Sequence, residues 1–434
     1  MKSQFQKLKN NSNNRSKSKI FYWTLYDFAN TSYSIVVVTF IFAVYFKNTI
    51  AEGKSIGDLY WSLGISISMI ITAILAPVLG AISDYSAGKK RFLLLFTLMC
   101  IIPTALLYFT GKGDVYLALL LFIIANIGFE AGLVFYDAFL PEITTVKNYG
   151  RVSGYGFAMG YLGSLTVLAI SLPFIKNELI KETFPIAAIF FLIFSIPLFL
   201  FLNDSRNDVV RTESFIKIGI RRVNTTVRNL RYYKNLALFL LSFLCYIEGV
   251  NTVIFFAGNY ASSTLNFSME ELIVFFILVQ TTAIFGSVLF GIISDSIGQK
   301  KAISISLFIW IFTVSVVYLT SSKESQFVIF LSDTLVITAE KAMTYSFYFV
   351  GLLAGSVMGA TQSTSRSLMS RLTPVEKKTE FFGFYSFFGK SSAILGPLVF
   401  GLVSYLFDDQ RFAILSVGIF FVLGLMLLKL VKEN

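Results

Sequence analysis

The fold is decided by two similar stretches of sequence, GAISDYSAGKK at residues 80–90 and GIISDSIGQKK at residues 291–301. Each stretch follows a long apolar run, and their aspartates stand 211 residues apart. The shared residues are Gly80, Asp84, Gly88, Lys89 and Lys90 in the first stretch and Gly291, Asp295, Gly298, Lys300 and Lys301 in the second. Short basic segments between apolar runs are typical of loops that join membrane helices. The chain is therefore expected to contain a repeated set of membrane helices.

The composition excludes a soluble fold. Of the 434 residues, 55% are hydrophobic and only 14% are charged. That apolar content corresponds to about twelve membrane helices of about 20 residues each. The sequence has no histidine, and its two cysteines, Cys100 and Cys245, lie inside apolar runs. We therefore expect no metal site, no cofactor, no disulfide framework and no histidine-based catalysis, and an enzyme is not predicted.

Twelve apolar runs are long enough to cross a bilayer. They lie near residues 20–46, 60–82, 92–109, 116–140, 152–174, 184–202, 235–260, 271–293, 302–320, 344–364, 383–407 and 411–430. The segment 327–337 is too short to cross and is interpreted as part of a long outer loop; a crossing there would make the number of spans odd. The predicted fold class is an all-α polytopic membrane protein with twelve transmembrane helices.

Charge is distributed unevenly over the alternate loops. The side that carries both termini holds 27 Lys and Arg against 9 Asp and Glu, whereas the other loops hold 8 against 12. Because the side rich in Lys and Arg is cytoplasmic, both termini are predicted to be cytoplasmic. The net charge of +11 therefore indicates topology and contact with the lipid bilayer, and no nucleic-acid partner is expected.

Two further pairs of segments extend the repeat. The matched residues are Asp27, Asn30 and Thr31 with Glu248, Asn251 and Thr252, and Gly154 and Gly160 with Gly383 and Gly389. All the pairs occur in the same order along the chain, so a six-helix half is repeated with parallel topology. The predicted organisation is a disordered cytoplasmic tail at 1–19, a six-helix bundle at 20–202, a cytoplasmic linker at 203–234 and a second six-helix bundle at 235–434.

The linker is predicted to contain an amphipathic helix. Its apolar positions are Ile216, Ile220, Val223, Val227 and Leu230, and its arginines on the rest of the wheel are Arg221, Arg222, Arg228 and Arg231. This spacing is that of a helix lying on the cytoplasmic membrane face. A plain linker helix explains the same pattern, and both interpretations stay open.

At this point the chain resembles a known family. The two repeated loops resemble the signature loop of the major facilitator superfamily, and several other stretches resemble its branch of fungal vacuolar amino-acid effluxers and their bacterial relatives. Those stretches are YDFANTSYSIVVVTFIFAVYF (26–46), FYDAFLPEI (135–143), GRVSGYGFAMGYLGS (150–164), EGVNTVIFFAGNYA (248–261), ATQSTSRSLMSRLTP (360–374) and EFFGFYSFFGKSSAILGP (380–397). The chain departs from the superfamily pattern at Tyr85 and Ser296, where Arg is usual, and at Asp137, where the branch has Asn.

The resemblance implies two six-helix bundles of the major facilitator fold and a gating role for the repeated loops, with Asp84 and Asp295 contacting a helix terminus or an Arg in one conformation. The alternative is that these two aspartates are surface charges of solvated loops. The resemblance also implies a protein of the bacterial plasma membrane that exports amino acids.

Five charged side chains lie inside the predicted spans, where a charge costs about 2.5–3.5 kcal/mol. They are Asp27, Glu130, Asp137, Glu248 and Lys390. Because spans 1, 4, 7 and 10 line the central cavity in the superfamily, the resemblance places Asp27, Asn30, Glu130, Glu248, Asn251 and Gln362 on or near the transport path. A carboxylate beside an amide suits an ammonium group or a coupling proton, and Lys390 suits a carboxylate. The alternative is that Lys390 and the acids pair only for stability, and Asp137 is interpreted as structural.

The predicted function is secondary active transport of a small polar solute by alternating access, with proton-coupled efflux. The sequence lacks a nucleotide-binding motif, so the energy comes from an ion gradient. A solute sensor built like a transporter, or a carrier of another metabolite or of lipid, is the alternative. A lipid-modifying enzyme lacks support, because no nucleophile is paired with a base. We expect a monomer whose partners are its small-molecule substrate, the lipid bilayer and a coupling proton.

Overall fold

The computed structural model describes residues 2–54, 56–204, 214–263, 265, 267–407 and 410–433. Residues 205–213 of the predicted linker therefore lie outside the described residues. The chain forms two compact units. The first comprises Met1–Asn229 with Thr373–Phe387, and the second comprises Leu230–Leu372 with Phe388–Asn434. Residues 373–387 thus pack with the first unit although the sequence places them in the second repeat.

The described residues are almost entirely helical. Up to residue 229 the α-helices are α1 (Lys2–Tyr33), α2 (Ile41–Tyr45), α3 (Ile56–Ile82), α4 (Lys89–Leu106), α5 (Val115–Asp137), α6 (Leu140–Ile143), α7 (Tyr149–Lys176), α8 (Thr183–Phe201) and α9 (Phe215–Arg228). Beyond it they are α10 (Lys234–Ser263), α11 (Met269–Ile297), α12 (Gln299–Leu319), α13 (Gln326–Leu335), α14 (Ala339–Leu372), α15 (Lys378–Phe407) and α16 (Gln410–Leu430).

Twelve of these helical stretches are long. Eleven stretches of the described chain are long and apolar enough to cross a membrane, from Lys17–Ile50 to Phe412–Leu430. The twelfth is α15, a helix of 30 residues. The predicted all-α membrane fold with twelve long helices is therefore confirmed. The first stretch is irregular, because π-helical turns at Ser34–Thr39 and Phe46–Ile50 flank α2.

Segment 327–337, which the sequence analysis interprets as part of a loop, contains the short helix α13. Its ten residues extend about 15 Å, half the thickness of a bilayer core. Val328 is fully buried against Ala342 and Met343 of α14. The helix ends at Val336, which adopts a left-handed conformation with φ of 55°. The even number of spans is therefore kept.

Helix pairings recur between the two repeats. In the first repeat α1 packs on α8, α3 on α5, and α4 on both α5 and α8. The corresponding helices of the second repeat pair in the same way, α10 with α16, α11 with α14, and α12 with both α14 and α16. The parallel repeat seen in the sequence is thus also a repeat of packing.

Glycines allow α11 and α14 to pack closely. A methyl group at Gly286 would lie 2.0 Å from the carbonyl oxygen of Ser356, and one at Gly355 would lie 2.4 Å from that of Val279. Gly359 approaches the carbonyl of Ala283 equally closely, at 2.4 Å. Only small residues permit this approach of two backbones.

We expect Gly286→Ala to lower the apparent melting temperature of the detergent-solubilised protein. Alanine gains about 1 kcal/mol over glycine in a helix, but overpacking against backbone costs about 1–3 kcal/mol. Gly258→Ala is the matched control, because no atom of the described residues outside its own stretch of helix lies within 4 Å of its methyl position. This control should keep or raise the melting temperature. Equal losses in both variants would contradict the close packing of α11 on α14.

Candidate functional site

In the first unit, two of the predicted site residues contact each other on α1. The side chains of Asp27 and Asn30 are 8% and 2% exposed. The Nδ2 amide of Asn30 donates a hydrogen bond of 3.3 Å to Oδ1 of Asp27. The i, i+3 spacing therefore places the amide beside the carboxylate, as the sequence predicts.

Glu130 of α5 is buried beside polar residues that the sequence analysis missed. Asn126 lies one helical turn before Glu130 and is fully buried. Its Nδ2 donates to Oγ of Ser68 at 2.7 Å, and the Tyr33 hydroxyl donates to its Oδ1 at 3.4 Å. Residues of α1, α3 and α5 thus form one polar network next to a buried carboxyl group. Asn126, four residues before Glu130, was the available sequence signal.

In the second unit, Glu248 and Asn251 of α10 have different surroundings. Glu248 is 1% exposed. Asn251 is half-buried, and its Nδ2 donates to Oγ of Ser392 on α15 at 3.1 Å. Ser392 lies two residues after Lys390 in α15. Gln362 of α14 and Lys390 are both half-buried.

Asp84 of the first repeated loop binds the start of α15. The backbone N–H groups of Thr379 and Glu380 donate to Oδ1 and Oδ2 of Asp84 at 3.0 and 2.8 Å. Amides in the first turn of a helix have no partner within the helix, and they carry the positive end of its dipole. Gly80 makes this approach possible, because a methyl group there would lie 2.2 Å from the carbonyl oxygen of Thr379.

Helix α9 also contacts the start of α15. The Thr226 hydroxyl donates to Oε1 of Glu380. Nζ of Lys377 donates to Oγ1 of Thr226 at 2.7 Å. The Arg222 guanidinium stacks over the ring of Tyr85, the residue after Asp84, at 5.0 Å. Thr226, Lys377 and Glu380 were not singled out in the sequence, because their partners lie about 150 residues away.

Lys89 is buried in the first unit, and only 5% of it is exposed. Its Nζ donates to Oε1 of Glu142 at 2.5 Å and to the carbonyl of Ala138 at 3.1 Å. Lys378 lies 3.7 Å from the same Glu142 oxygen. A buried cation requires such partners, so the first lysine of the repeated loop is anchored to the end of span 4. Asp137, the last residue of α5, is half-buried nearby in the chain.

Two carboxylates that the sequence analysis missed cap the helices that follow the repeated loops. Asp204 Oδ2 accepts the N–H of Lys90 at 2.9 Å. In the second unit, Glu433 accepts the N–H groups of Gln299 and Lys300 at 2.7 and 2.9 Å. We call Asp204 and Glu433 the clamp carboxylates. They are 229 residues apart, like the glycine pairs of spans 5 and 11.

The lysines and glycines of the repeated loops form the other part of these clamps. Nζ of Lys90 donates to the carbonyl of Leu202, and Nζ of Lys300 donates to that of Val431. Gly88 and Gly298 have φ of 72° and 94°, and each lies directly against its clamp carboxylate. Burial raises the pKa of the Asp204 carboxyl above its usual value.

The remaining residues of the second repeated loop differ in their burial. Gly291 is buried and accepts the Ser294 hydroxyl through its carbonyl at 2.9 Å. Asp295 is half-buried, and Lys301 is exposed. Within the described part of the chain, no group of three or more Cys, Asp or Glu side chains could hold a metal ion.

We expect Asp204→Ala and Glu433→Ala to destabilise the protein by about 0.5–2 kcal/mol each, as the loss of helix caps does. Glu433→Ala should cost more, because Glu433 also binds Nη1 of Arg371 at 3.0 Å. Asp204→Asn should cost less than Asp204→Ala, because it keeps an acceptor without the buried charge. Glu324→Ala, at an exposed loop carboxylate, is the control. Thermal unfolding in detergent measures the effects, and clamp variants as stable as the control would disprove the capping role.

Comparison with known proteins agrees with this architecture. Residues 60–434 match the family model described as vacuole effluxer Atg22 like. The uncharacterized MFS-type transporter YxiO of Bacillus subtilis (strain 168) is 32% identical over 426 residues, which cover 95% of this chain and 94% of YxiO. Autophagy-related protein 22 of Kluyveromyces lactis is 24% identical over 389 residues, covering 83% and 77% of the two chains.

Among solved structures, the major facilitator superfamily proton:xylose symporter XylE has a TM-score of 0.72 at 15% identity and covers 97% of both chains. At that identity the likeness shows the fold, and the fold is the twelve-helix one that the sequence predicts. The chain belongs to the Atg22-like vacuole effluxer family and is an integral membrane transporter of the major facilitator type.

Proposed function

We propose that this transporter exports amino acids across the bacterial plasma membrane by alternating access, with protons as the coupling ion and both termini in the cytoplasm. The observation that carries the proposal is the burial of carboxyl groups within membrane helices in both repeats. Glu130 is 6% exposed and Glu248 is 1% exposed. Burial of a charged group is costly in a bilayer, so such groups are retained where they bind a cation or carry a proton.

The neighbours of these carboxyl groups support a zwitterionic substrate. Asp27 accepts from the Asn30 amide, and the Asn126 network lies one turn from Glu130. Acceptors of this kind suit an ammonium group, and amides orient it. Lys390 of α15 supplies a cation for a carboxylate. Since the chain has no histidine, a coupling proton would be carried by a carboxyl group.

The direction and the membrane rest on relatives and charge. The matched family is described as vacuole effluxers, and an MFS-type relative comes from Bacillus subtilis. The excess of Lys and Arg in the loops on one side favours cytoplasmic termini. The family description gives efflux out of a vacuole, and we carry efflux over to this chain as export out of the cell.

We further propose that the contact of Asp84 with α15 is a gate contact. Asp84 precedes α4 of the first repeat, whereas the amides that it accepts belong to a helix of the second repeat. In a transporter whose repeats rock around a site, a contact between repeats can hold one conformation and must break in the other.

Glu248→Gln tests the site. We expect amino acids that stabilise the native protein in detergent to stabilise this variant at least about tenfold more weakly, since a charge-assisted hydrogen bond contributes about 1.5–3 kcal/mol. Exchange of the same amino acid in proteoliposomes, with and without a proton gradient, tests transport and coupling. Glu324→Gln, at an exposed loop position, is the control.

Equal binding by Glu248→Gln and the native protein at every pH would remove Glu248 from the site. Binding without exchange or uptake would show a sensor. Transport that does not respond to the proton gradient would remove proton coupling from the proposal.

Asp84→Asn tests the gate contact. An amide has one acceptor oxygen and no charge, so the hold on α15 should weaken. We expect the initial transport rate to fall about tenfold, while ligand-induced stabilisation in detergent is retained. Asp58→Asn is the matched control, because Asp58 is an exposed acid whose carboxylate pairs with the exposed Lys47. Native-like transport by Asp84→Asn would refute the gating role.

A further inference from the structure

Helix α9 lies between the two repeats in the sequence, and one of its sides packs against α3. Ile218 is 3% exposed, and the neighbouring Gly219 allows a close approach. A methyl group on Gly219 would lie 2.7 Å from Cγ1 of Ile82 and 3.0 Å from the carbonyl oxygen of Val78. Val78 and Ile82 form the last turn of α3, a membrane-spanning helix. Helix α9 is therefore held at the level where the membrane helix ends.

The opposite side of α9 combines cations with apolar side chains. Lys217, Arg221 and Arg228 are exposed. Ile220 and Val227 are 55% and 44% exposed. At 3.6 residues per turn, the three cations share one stripe and the two apolar residues form the stripe beside it. We call these five residues the α9 outer face.

The α9 outer face differs from the stripe that the sequence predicts. Of the predicted apolar stripe, Val223 turns partly toward the bundle, while Ile220 and Val227 remain outside. The side chains of Ile216 and Leu230 lie outside the described residues. The helix carries four cations and no acidic residue within Phe215–Arg228.

We propose that the α9 outer face binds the headgroups of anionic phospholipids in the adjoining leaflet. Exposed aliphatic side chains beside a cationic stripe are the pattern of a helix that lies in the membrane interface. The charge of the face complements anionic headgroups, and its position at the end of α3 brings it to them. A soluble polyanion would leave Ile220 and Val227 in water, so lipid is the occupant that uses the whole face.

The proposal has a consequence for the gate contact of Asp84 with α15. This consequence rests on the gating role proposed above for Asp84. Residues on the inner side of α9 contact both segments that form the gate contact, the loop with Asp84 and the start of α15. Arg222 stacks on Tyr85, next to Asp84, and Thr226 binds Glu380, whose N–H donates to Asp84. A headgroup that binds α9 more tightly when the Asp84–α15 contact is formed than when it is broken shifts the population toward the conformation with the contact.

The test compares lipid retention by native mass spectrometry of the full chain in detergent. Phosphatidylglycerol and phosphatidylcholine of the same acyl chains are titrated separately. The test variant is Lys217→Gln, Arg221→Gln and Arg228→Gln together. The control variant is Lys54→Gln, Lys112→Gln and Lys323→Gln, which removes three exposed lysines on other loops. Thermal unfolding in detergent verifies that both variants are folded.

We expect the native protein and the control to retain phosphatidylglycerol in preference to phosphatidylcholine. The test variant should bind phosphatidylglycerol at least about tenfold more weakly, since each basic residue near an anionic surface contributes about fivefold. Equal retention of both lipids by the native protein, or equal losses in both variants, would overturn the proposal. Displacement of phosphatidylglycerol by inorganic phosphate at equal concentration would also overturn it, because the site would then bind a soluble anion.

A second measurement separates the site from its consequence. Amino-acid exchange is compared in vesicles of phosphatidylcholine alone and with added phosphatidylglycerol. If the lipid preference is found and exchange is the same in both vesicles, the headgroup site stands and its coupling to the Asp84 contact is wrong. If exchange fails in every vesicle while the preference is found, the transport proposal fails and the lipid site stands.

Discussion

The amide groups in the first turn of a helix have no acceptors within that helix. A bundle of long membrane helices must satisfy these groups from elsewhere, and here three carboxylates do so across long distances in the chain. Asp204 caps α4, Glu433 caps α12 and Asp84 caps α15. Gly88 and Gly298, whose φ is positive, lie directly against two of these carboxylates. The first role of each repeated loop is therefore structural, because it positions the start of a helix.

The three caps differ in what they connect. Asp204 and Glu433 each cap a helix of their own repeat, and each is supported by a lysine that binds the carbonyl groups at the end of the same repeat. Asp84 caps a helix of the other repeat. In the gating role proposed for this contact, its two hydrogen bonds break in one conformation, whereas the caps by Asp204 and Glu433 lie within single repeats. The chain around the first repeated loop therefore donates an amide to one cap, through Lys90, and supplies the carboxylate of another, Asp84.

Hydropathy predicted the twelve helices because the length of an apolar run that can cross a bilayer is a local property of the sequence. The Asp27–Asn30 contact was equally predictable from i, i+3 spacing. The clamp carboxylates were not predicted, since each lies more than 100 residues from the amides that it accepts. Asn251 illustrates the limit within one helix: spacing put it beside Glu248, but its amide binds Ser392 of α15. Side-chain partners across helices depend on packing that periodicity does not encode.

The packing of the two repeats is symmetric, but their buried charge is not. Helix pairings recur, and Asp27 has a counterpart in Glu248. Glu130 of α5 lies in a helix whose counterpart, α14, has buried hydroxyl groups and a buried cation. Thr361 donates to Ser306, Trp310 donates to Thr361, and Arg366 is 2% exposed. The recurring helix pairings do not explain Glu130, because α14 packs in the same way as α5. Burying a carboxyl group within a membrane helix is costly. That cost is why the proposed transport path includes Glu130 and its Asn126 network, together with the matched pair Asp27 and Glu248.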